Sequence, residues 1–270
     1  MTDETGFQLK GSAPERYEQY VAPIMAPFIE AVLDIVDLFP GAQVLDLACG
    51  TGFVARAAAA RVGPPGHVCA VDVNEGMLRV AAARAPRWYP DIEFTQAPAD
   101  ALPFEEATFD VVICQQGAQF FPDLDAALKE AARVLRPGGR IALTTWAPKE
   151  RSPYFDAQYR VIEEYGSPDD TAAFRRAFSC TADRLAAAFV ASGLRDGTVH
   201  LVTRHVVTPP LTDWVPGLMA SVPWTRSLTE AGPDLMARAS RALCDLLVNH
   251  KAPDGTATLP FTTLLATATR

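Results

Sequence analysis

Residues 44–52 read Val-Leu-Asp-Leu-Ala-Cys-Gly-Thr-Gly, and this nonapeptide decides the fold. An apolar run interrupted by Asp46 is followed by two glycines and then by the helix-compatible segment 53–62. This order predicts a strand, a tight turn and a helix, with a carboxylate where the strand ends. Glycines let a backbone turn approach a ligand closely, and the start of a helix offers free N–H groups. The stretch therefore predicts a small-ligand site at the turn.

Two classes of ligand fit this turn. Gly50, Gly52 and Ala55 satisfy a loose dinucleotide fingerprint, and Asp72 follows Gly50 by 22 residues, near the usual ribose-acid spacing of about 20. A dinucleotide, however, places its pyrophosphate on the turn, where the charge of Asp46 opposes it. S-adenosylmethionine (SAM) carries a cationic amino group and a sulfonium, which that charge favours. A strand-end aspartate can also serve only as a turn former, so both classes stay open at this point.

Composition narrows the class of protein. The chain has 270 residues, 49% of them apolar, a net charge of −8 and a pI of about 5.0. The acidic balance argues against nucleic acid as a partner, and no apolar run approaches the ~18 residues of a membrane span. The five dispersed cysteines form no C-x-x-C pair, which is typical of reduced thiols. We expect a cytoplasmic protein, a monomer or homodimer, with no membrane and no nucleic-acid partner.

Strands alternate with helices as far as Trp146, which indicates βαβ units and a mostly parallel sheet. Two further alternating segments lie near the end of the chain, separated by helical pieces. We predict a Rossmann-like, doubly wound α/β fold, with a seven-stranded, mostly parallel sheet and helical cap insertions. The predicted strands are Gln43–Leu47, His67–Asp72, Ile92–Gln96, Phe109–Cys114, Arg140–Trp146, Gly197–Val207 and Thr258–Ala268. The predicted helices of the first half are Ala13–Tyr20, Ala22–Leu38, Gly52–Val62, Glu75–Arg84 and Leu124–Leu135.

Five segments in order carry a resemblance to a known family. They are Val44–Gly52, Ala70–Asn74, Ala99–Phe104, Phe109–Cys114 and Arg133–Arg140. With them the chain resembles the class I SAM-dependent methyltransferases, in particular the group related to ubiquinone/menaquinone biosynthesis methyltransferases (type 11). The resemblance covers roughly residues 40–146, and residues 147–270 carry no assignable motif.

The resemblance implies a set of cofactor contacts. Asp46, Gly50 and Gly52 would hold the methionine end of SAM, with Ala48 in the turn. Asp72 would accept both ribose hydroxyls, because a carboxylate accepts two hydrogen bonds at once. The remaining implied contacts are Val73 and Met77 beside the adenine, Asp100 and Ala101 at its edge, Gln115 near the transferring methyl, and Tyr20 on a helix that closes over SAM. Tyr17 on the same helix is an equal candidate for this closure, and aromatic packing is the alternative for both tyrosines. Met77 can equally be a helix core residue.

The catalytic residues are unknown at this stage. Gln119 stands where many relatives have a histidine, and glutamine cannot act as a general base. Methyl transfer from a sulfonium mainly needs alignment, so no base is required for an acidic acceptor. We predict that Gln119, Trp146 and Tyr154 contact the acceptor in an apolar, aromatic-lined pocket. No His, Cys and carboxylate cluster has ligand spacing in the sequence, so no metal site is expected.

Three functions remain open. The favoured one is a SAM-dependent methyltransferase acting on a small, partly apolar acceptor through an O-, N- or C-nucleophile. The others are a nicotinamide-dependent oxidoreductase using the same turn and a non-catalytic SAM-binding protein. The expected organisation is N-terminal helices over the site in residues 1–40, a SAM-binding core in 41–150, and cap helices plus the last two strands in 151–270.

Overall fold

The computed structural model describes residues 9, 11–85 and 91–270. Residues 1–8 and 10, which belong to the expected N-terminal segment 1–40, lie outside the described residues, as do residues 86–90.

Seven strands form a single sheet in the order β3-β2-β1-β4-β5-β7-β6. The first five run parallel to one another, and β7 pairs antiparallel with both β5 and β6. The predicted seven-stranded, mostly parallel α/β fold is therefore confirmed. The strands are β1 (Gln43–Leu47), β2 (His67–Asp72), β3 (Ile92–Gln96), β4 (Phe109–Gln115), β5 (Leu135–Trp146), β6 (Arg195–Thr208) and β7 (Ala257–Thr269).

Helices cover both faces of the sheet. The helices are α1 (Ala13–Arg16), α2 (Ala22–Ile35), α3 (Phe53–Val62), α4 (Glu75–Arg84), α5 (Leu124–Val134), α6 (Pro153–Tyr165), α7 (Pro168–Ala177), α8 (Ala182–Ala191), α9 (Leu211–Met219), α10 (Arg226–Glu230) and α11 (Pro233–Leu246). Val44 packs into one core with α2 and α3, whereas Leu45 packs into another with α5 and α8. Adjacent strand residues point to opposite faces, so both faces must be covered and the strand reads as a continuous apolar run.

The N-terminal helices differ from the prediction. Instead of two separate helices, α1 continues through a π-helical turn, Tyr17–Val21, directly into α2. The helix α2 ends at Ile35, three residues before the predicted Leu38. A π turn rotates the residues that follow it around the helix axis relative to a regular helix, and such turns are frequent at functional sites.

The cap has its own apolar core above one end of the sheet. Side chains from α6, α7, α9 and α11 pack with the start of β7 and with α2 in one buried cluster, which includes Tyr154, Phe174, Trp214 and Phe261. In the part of the chain that the structure describes, no helix combines the length and apolar character that a membrane span requires.

Candidate active site

A cavity of about 170 Å³ lies at the carboxyl ends of the parallel strands. Asp46 near the end of β1, Asp72 at the end of β2 and Gln115 at the end of β4 all line it. Ligands of doubly wound sheets bind at this edge, where the loops diverge on either side of the sheet. The topology thus brings together three side chains that are 26 and 43 residues apart in the sequence.

The turn after β1 forms the floor of this cavity. Ala48, Gly50 and Gly52 all have positive φ, at 57°, 55° and 80°. A Cβ at Gly50 would meet no atom within 4 Å, so open space adjoins the backbone there. At Gly52 a Cβ would lie 3.1 Å from Ala81 of α4. Gly50 therefore serves the conformation and the approach of a ligand, whereas Gly52 serves the packing of α3 against α4.

Asp46 is buried and anchors the start of α3. Its Oδ2 accepts a hydrogen bond from the Ala55 backbone N–H at 2.8 Å. Burial raises its pKa to about 7, and nearby Asp72 adds to the rise, while the Ala55 bond and Arg56 oppose it. A carboxylate held in this way attracts a cation, because a nearby positive charge favours its ionised form. It also occupies an N–H that a pyrophosphate would need at the helix N-terminus.

Asp72 closes the turn from the neighbouring strand. One carboxylate oxygen accepts the Gly50 N–H and the other accepts the Asn74 N–H, both at 2.8 Å. Burial raises its pKa, and the backbone N–H groups of Asn74, Gly50 and Val73 oppose that rise. Each oxygen of a carboxylate can accept two hydrogen bonds, so both retain capacity for a ligand.

Most of the predicted cofactor residues line this cavity. Those in the lining are Asp46, Ala48, Gly50, Asp72, Val73, Met77, Asp100 and Gln115. Gly52, Ala101 and Tyr20 lie outside the lining. Their contacts with a cofactor stay predictions, as do those of the lining residues.

Gln115 connects the sheet to the helices above it. Its Nε2 donates to the Met25 carbonyl of α2 at 2.9 Å. Glu18 in the π turn adds an ion pair with Arg56 of α3 and another with Arg84 of α4. The N-terminal helices are therefore fixed over the cavity from three sides.

A second, smaller cavity of about 30 Å³ adjoins the first. Gln119, Trp146 and Tyr154, the predicted acceptor residues, all line it. Most of the remaining wall is apolar, and α2, α6 and α9 contribute Ile24, Met25, Phe155 and Leu218 to it. Four residues line both cavities and form the wall between them: Tyr17, Met25, Gln116 and Phe120.

Sequence reasoning did not separate Tyr17 from Tyr20, and it missed the importance of Gln116. Tyr17 and Tyr20 are equivalent in the sequence pattern, but only Tyr17 lines the cavities. The ring of Tyr20 instead packs on α9, where a Cβ at Gly217 would overlap it. The π turn sets which tyrosine faces inward, and a π turn leaves no clear sequence signal. Gln116 adjoins the predicted Gln115 but has a positive φ of 56°, which turns it toward the second cavity.

One cluster of metal-ligand types lies elsewhere. His67, Cys69 and Glu93 bring their donor atoms within 4.8 Å of one another at the amino end of β2, the end away from the cavities. The thiol lies 3.3 Å from His67 Nε2 and 3.7 Å from Glu93 Oε2, so the three groups already satisfy one another. Sequence spacing missed this group because Glu93 comes from the neighbouring strand. The expected absence of a metal site stays a prediction.

Part of the chain is similar to known proteins. Residues 44–139 match a family described as a methyltransferase domain. Nocamycin O-methyltransferase of Saccharothrix syringae is 39% identical over 133 residues, which is 49% of this chain and 48% of the relative. Ubiquinone/menaquinone biosynthesis C-methyltransferase UbiE of Hahella chejuensis is 42% identical over 123 residues, 45% and 49% of the two chains.

A solved structure shares the fold. The SAM-dependent methyltransferase from Aquifex aeolicus superposes with a TM-score of 0.55 and 22% identity, covering 70% of this chain and 92% of that one. In sequence, this chain spans about half the length of the two curated relatives. Residues 44–139, which carry the strand-end carboxylates and the glycine turn, form a methyltransferase domain similar to that of the class I SAM-dependent methyltransferases of the ubiquinone/menaquinone-biosynthesis-like group, and the cofactor that this domain indicates is SAM.

Proposed function

We propose that this protein is a methyltransferase that transfers the methyl group of SAM to a small, partly apolar acceptor. The observation that carries the proposal is the pair of adjoining cavities with a common wall of Tyr17, Met25, Gln116 and Phe120. One cavity has the charge and backbone geometry for SAM, and the other is apolar and aromatic. Two ligands bound side by side can meet at this wall.

The residues of the first cavity fit SAM. Asp46 offers a buried negative charge for a cationic ligand, and open space adjoins the Gly50 backbone. Asp72 has hydrogen-bonding capacity left for the two ribose hydroxyls. Met77 is buried in the lining and Val73 is partly exposed there, so both suit the faces of an adenine ring. When bound, SAM supplies an electrophilic methyl group on a good leaving group.

The task of the protein in this proposal is alignment. Gln115 and the helices tied to it hold the wall between the cavities, so that an acceptor and the methyl group face each other with water excluded. The side chains described along the second cavity include no carboxylate, histidine or lysine. Its two tyrosines, Tyr17 and Tyr154, have pKa values raised by burial, which makes them poor bases near neutral pH. The acceptor must therefore be nucleophilic without a general base from this wall.

The two cavities suggest a role for each part of the chain. We assign residues 41–150 to SAM binding, residues 1–40 to closing over the site, and residues 151–270 to the cap and the last two strands. Met25 lines both cavities and Trp146 packs against Phe155 of the cap, which supports these roles. A small-molecule acceptor, the cytoplasmic location and a monomeric or dimeric state stay predictions.

The test is product formation. The protein is incubated with methyl-labelled SAM and a panel of phenols, enols, carboxylic acids and amines, and labelled product and S-adenosylhomocysteine (SAH) are measured together. The proposal expects equal amounts of both with at least one acidic acceptor. Tight binding of SAM and SAH without labelled product from any acceptor would instead favour a non-catalytic SAM-binding protein. Binding of NAD in place of SAM would favour the oxidoreductase.

A further inference from the structure

Two buried amides in the wall of the second cavity have unused hydrogen-bonding groups. Gln116 and Gln119 are 7% and 6% exposed. Gln119 Nε2 donates to Gln116 Oε1 at 3.2 Å, while Gln116 Nε2 and Gln119 Oε1 have no partner. A buried polar group without a partner is destabilising, so a ligand that pairs with it gains affinity. The pair therefore presents one free donor and one free acceptor inside the protein.

The backbone holds this pair in place. Gln116 has a φ of 56°, and its N–H donates to the Thr144 carbonyl at 2.9 Å. The next residue, Gly117, has no room for a Cβ, which would meet Ala48 and Cys114. A strained φ at a non-glycine residue persists only where the surroundings fix it, so the Gln116 side chain is directed inward rather than to solvent.

The pattern of free groups does not depend on how the amides are oriented. Turning both amides over reverses the bond between them, so that Gln116 donates and Gln119 accepts. One N–H group and one carbonyl oxygen are then still free. A ligand that satisfies the pair must accept one hydrogen bond and donate another.

The remaining wall selects against charge. The third amide of the cavity, Gln158, is already bonded at both ends, to Tyr154 Oη at 3.3 Å and Trp224 Nε1 at 3.1 Å. The other lining side chains are aromatic or aliphatic, apart from the hydroxyls of Tyr17 and Tyr154. A charged group in such a cavity would be buried without a counter-ion, which is strongly unfavourable. The described lining thus suits a neutral ring, which a cavity of about 30 Å³ can take up only if its walls move apart.

We propose that Gln116 and Gln119 form a specificity pair that selects a neutral ring acceptor carrying one carbonyl oxygen and one hydroxyl. The amide N–H binds the carbonyl, and the amide oxygen accepts from the hydroxyl. This proposal rests on the proposed function, because it assigns the second cavity to the methyl acceptor. It also fits the lack of a base, since a conjugated carbonyl makes a hydroxyl more acidic.

The experiment uses matched ring probes on the full chain saturated with SAH. The 2-, 3- and 4-hydroxyacetophenones carry both groups, acetophenone lacks the hydroxyl, and the three ethylphenols lack the carbonyl. Dissociation constants are measured by calorimetry. At least one hydroxyacetophenone is expected to bind about tenfold more tightly than its two controls, because leaving one buried polar group unpaired costs a factor of about that size.

Variants then locate the selectivity. Gln116→Met and Gln119→Met each keep the side-chain length and remove the amide, so each is expected to bring the preference close to unity. Gln158→Met is the matched control: it removes an amide that is already bonded, and it should weaken all ring probes alike without changing their ranking. Thermal unfolding and SAH affinity show that each variant is folded.

Two results overturn the proposal. The first is equal binding of all ring probes by the unmodified protein, as expected where ordered water satisfies the two amides. The second is a preference that survives both methionine substitutions. The series of probes on the unmodified protein decides the question even where a variant does not fold. Failure to bind SAH contradicts the proposed function instead, and so separates the two claims.

Discussion

The two cavities are built in different ways. The first, called here the donor cavity, uses backbone groups and the two carboxylates Asp46 and Asp72. In every hydrogen bond described for these carboxylates, they accept from a backbone N–H of a nearby turn or helix. The second, the acceptor cavity, is lined by side chains from α2, α6, α9 and the end of β5, with two amide atoms unpartnered. A site made of backbone turns follows from local sequence, whereas a site made of packed side chains follows from tertiary structure.

The largest effect is expected from Asp72→Ala. The change removes two partly buried hydrogen bonds, from Gly50 and Asn74, and the expected ribose contacts, and hydrogen bonds to charged groups contribute about 1.5–3 kcal/mol each. SAM affinity should fall at least about 100-fold. Calorimetry with SAM and SAH measures it.

Asp110→Ala is the matched control for this change. Asp110 also accepts a backbone N–H, from Gln43 at 2.8 Å, but at the opposite end of the sheet. Its loss should lower stability and leave SAM affinity unchanged. Equal losses of SAM affinity in both variants would mean that Asp72 acts only by supporting the fold. Asp72 would then not be a direct contact of SAM in the donor cavity.

The next effect concerns the acceptor cavity. Trp146 is buried among aromatic side chains. Its ring centroid lies 4.6 Å from that of Phe155, 6.2 Å from that of Phe261 and 6.3 Å from that of Phe28. Trp146→Ala should lower the free energy of unfolding by about 3–5 kcal/mol, the usual cost of removing a large core aromatic residue. Denaturant unfolding measures this loss.

SAH affinity is the control for Trp146→Ala. Trp146 lines the acceptor cavity and lies outside the lining of the donor cavity. The folded variant should therefore bind SAH within about twofold of the unmodified protein, a difference well below 1 kcal/mol. A large loss of SAH affinity would show that binding in the donor cavity depends on the packing of the acceptor cavity.

A smaller effect is expected from pH. Because the pKa of Asp46 is raised to about 7, this group is largely protonated at pH 6 and ionised at pH 8. A cationic ligand favours the ionised form, so SAM affinity should rise about tenfold over this range. Asp46→Asn keeps an acceptor for the Ala55 N–H and should lose most of that dependence. The same slope in both proteins would assign the titration to another group, of which Asp72 is the first candidate.

The pH dependence of stability gives an independent check of the same group. A folded-state pKa above the unfolded value means that the folded protein holds a proton which the unfolded chain releases. The contribution of Asp46 to the free energy of unfolding is therefore largest below about pH 4 and is lost as the pH rises to about 7. Thermal unfolding without ligand should show this fall, and Asp46→Asn should reduce it. A fall of the same size in the variant would contradict the assignment.

The smallest expected effect is on the free energy of unfolding when the amides of Gln116 and Gln119 are removed. Gln116→Met and Gln119→Met each leave the other amide without its 3.2 Å partner, whereas the double variant leaves neither. The losses of stability should therefore be non-additive, with the double variant less destabilised than the sum by about 0.5–1.5 kcal/mol. Denaturant unfolding of the four proteins forms the cycle. Additive losses would show that the two amides do not interact.

The sequence predicted the donor half of the molecule well for a physical reason. Strand, turn and helix around residues 43–62 depend on local apolar patterning and on glycines with positive φ, and β1, β2 and β3 have the predicted bounds. The same local pattern identifies Asp46 and Asp72, because Asp72 ends β2 and Asp46 is the last residue but one of β1. The right-handed crossovers of βαβ units limit the possible orders of the sheet without choosing one of them.

The acceptor half could be predicted only in outline. Trp146 and Tyr154 do line an aromatic cavity, but their place in it depends on cap helices that carry no motif. The choice between Tyr17 and Tyr20 depends on a π turn, and the inward direction of Gln116 depends on its positive φ. The positions of these side chains are set by the packing of segments that are distant in the sequence. Local residue patterns do not predict such packing.

The central claim is that the donor cavity binds SAM and that Asp46 and Asp72 are the reason. The most direct test is a calorimetric titration of the full chain with SAM and SAH, with NAD and NADP as controls. We expect micromolar binding of SAM and SAH and no heat from NAD or NADP. Binding of SAM and SAH should be lost in Asp72→Ala and kept in Asp110→Ala. Binding of a dinucleotide, or SAM binding that is unaffected by Asp72→Ala, would contradict it.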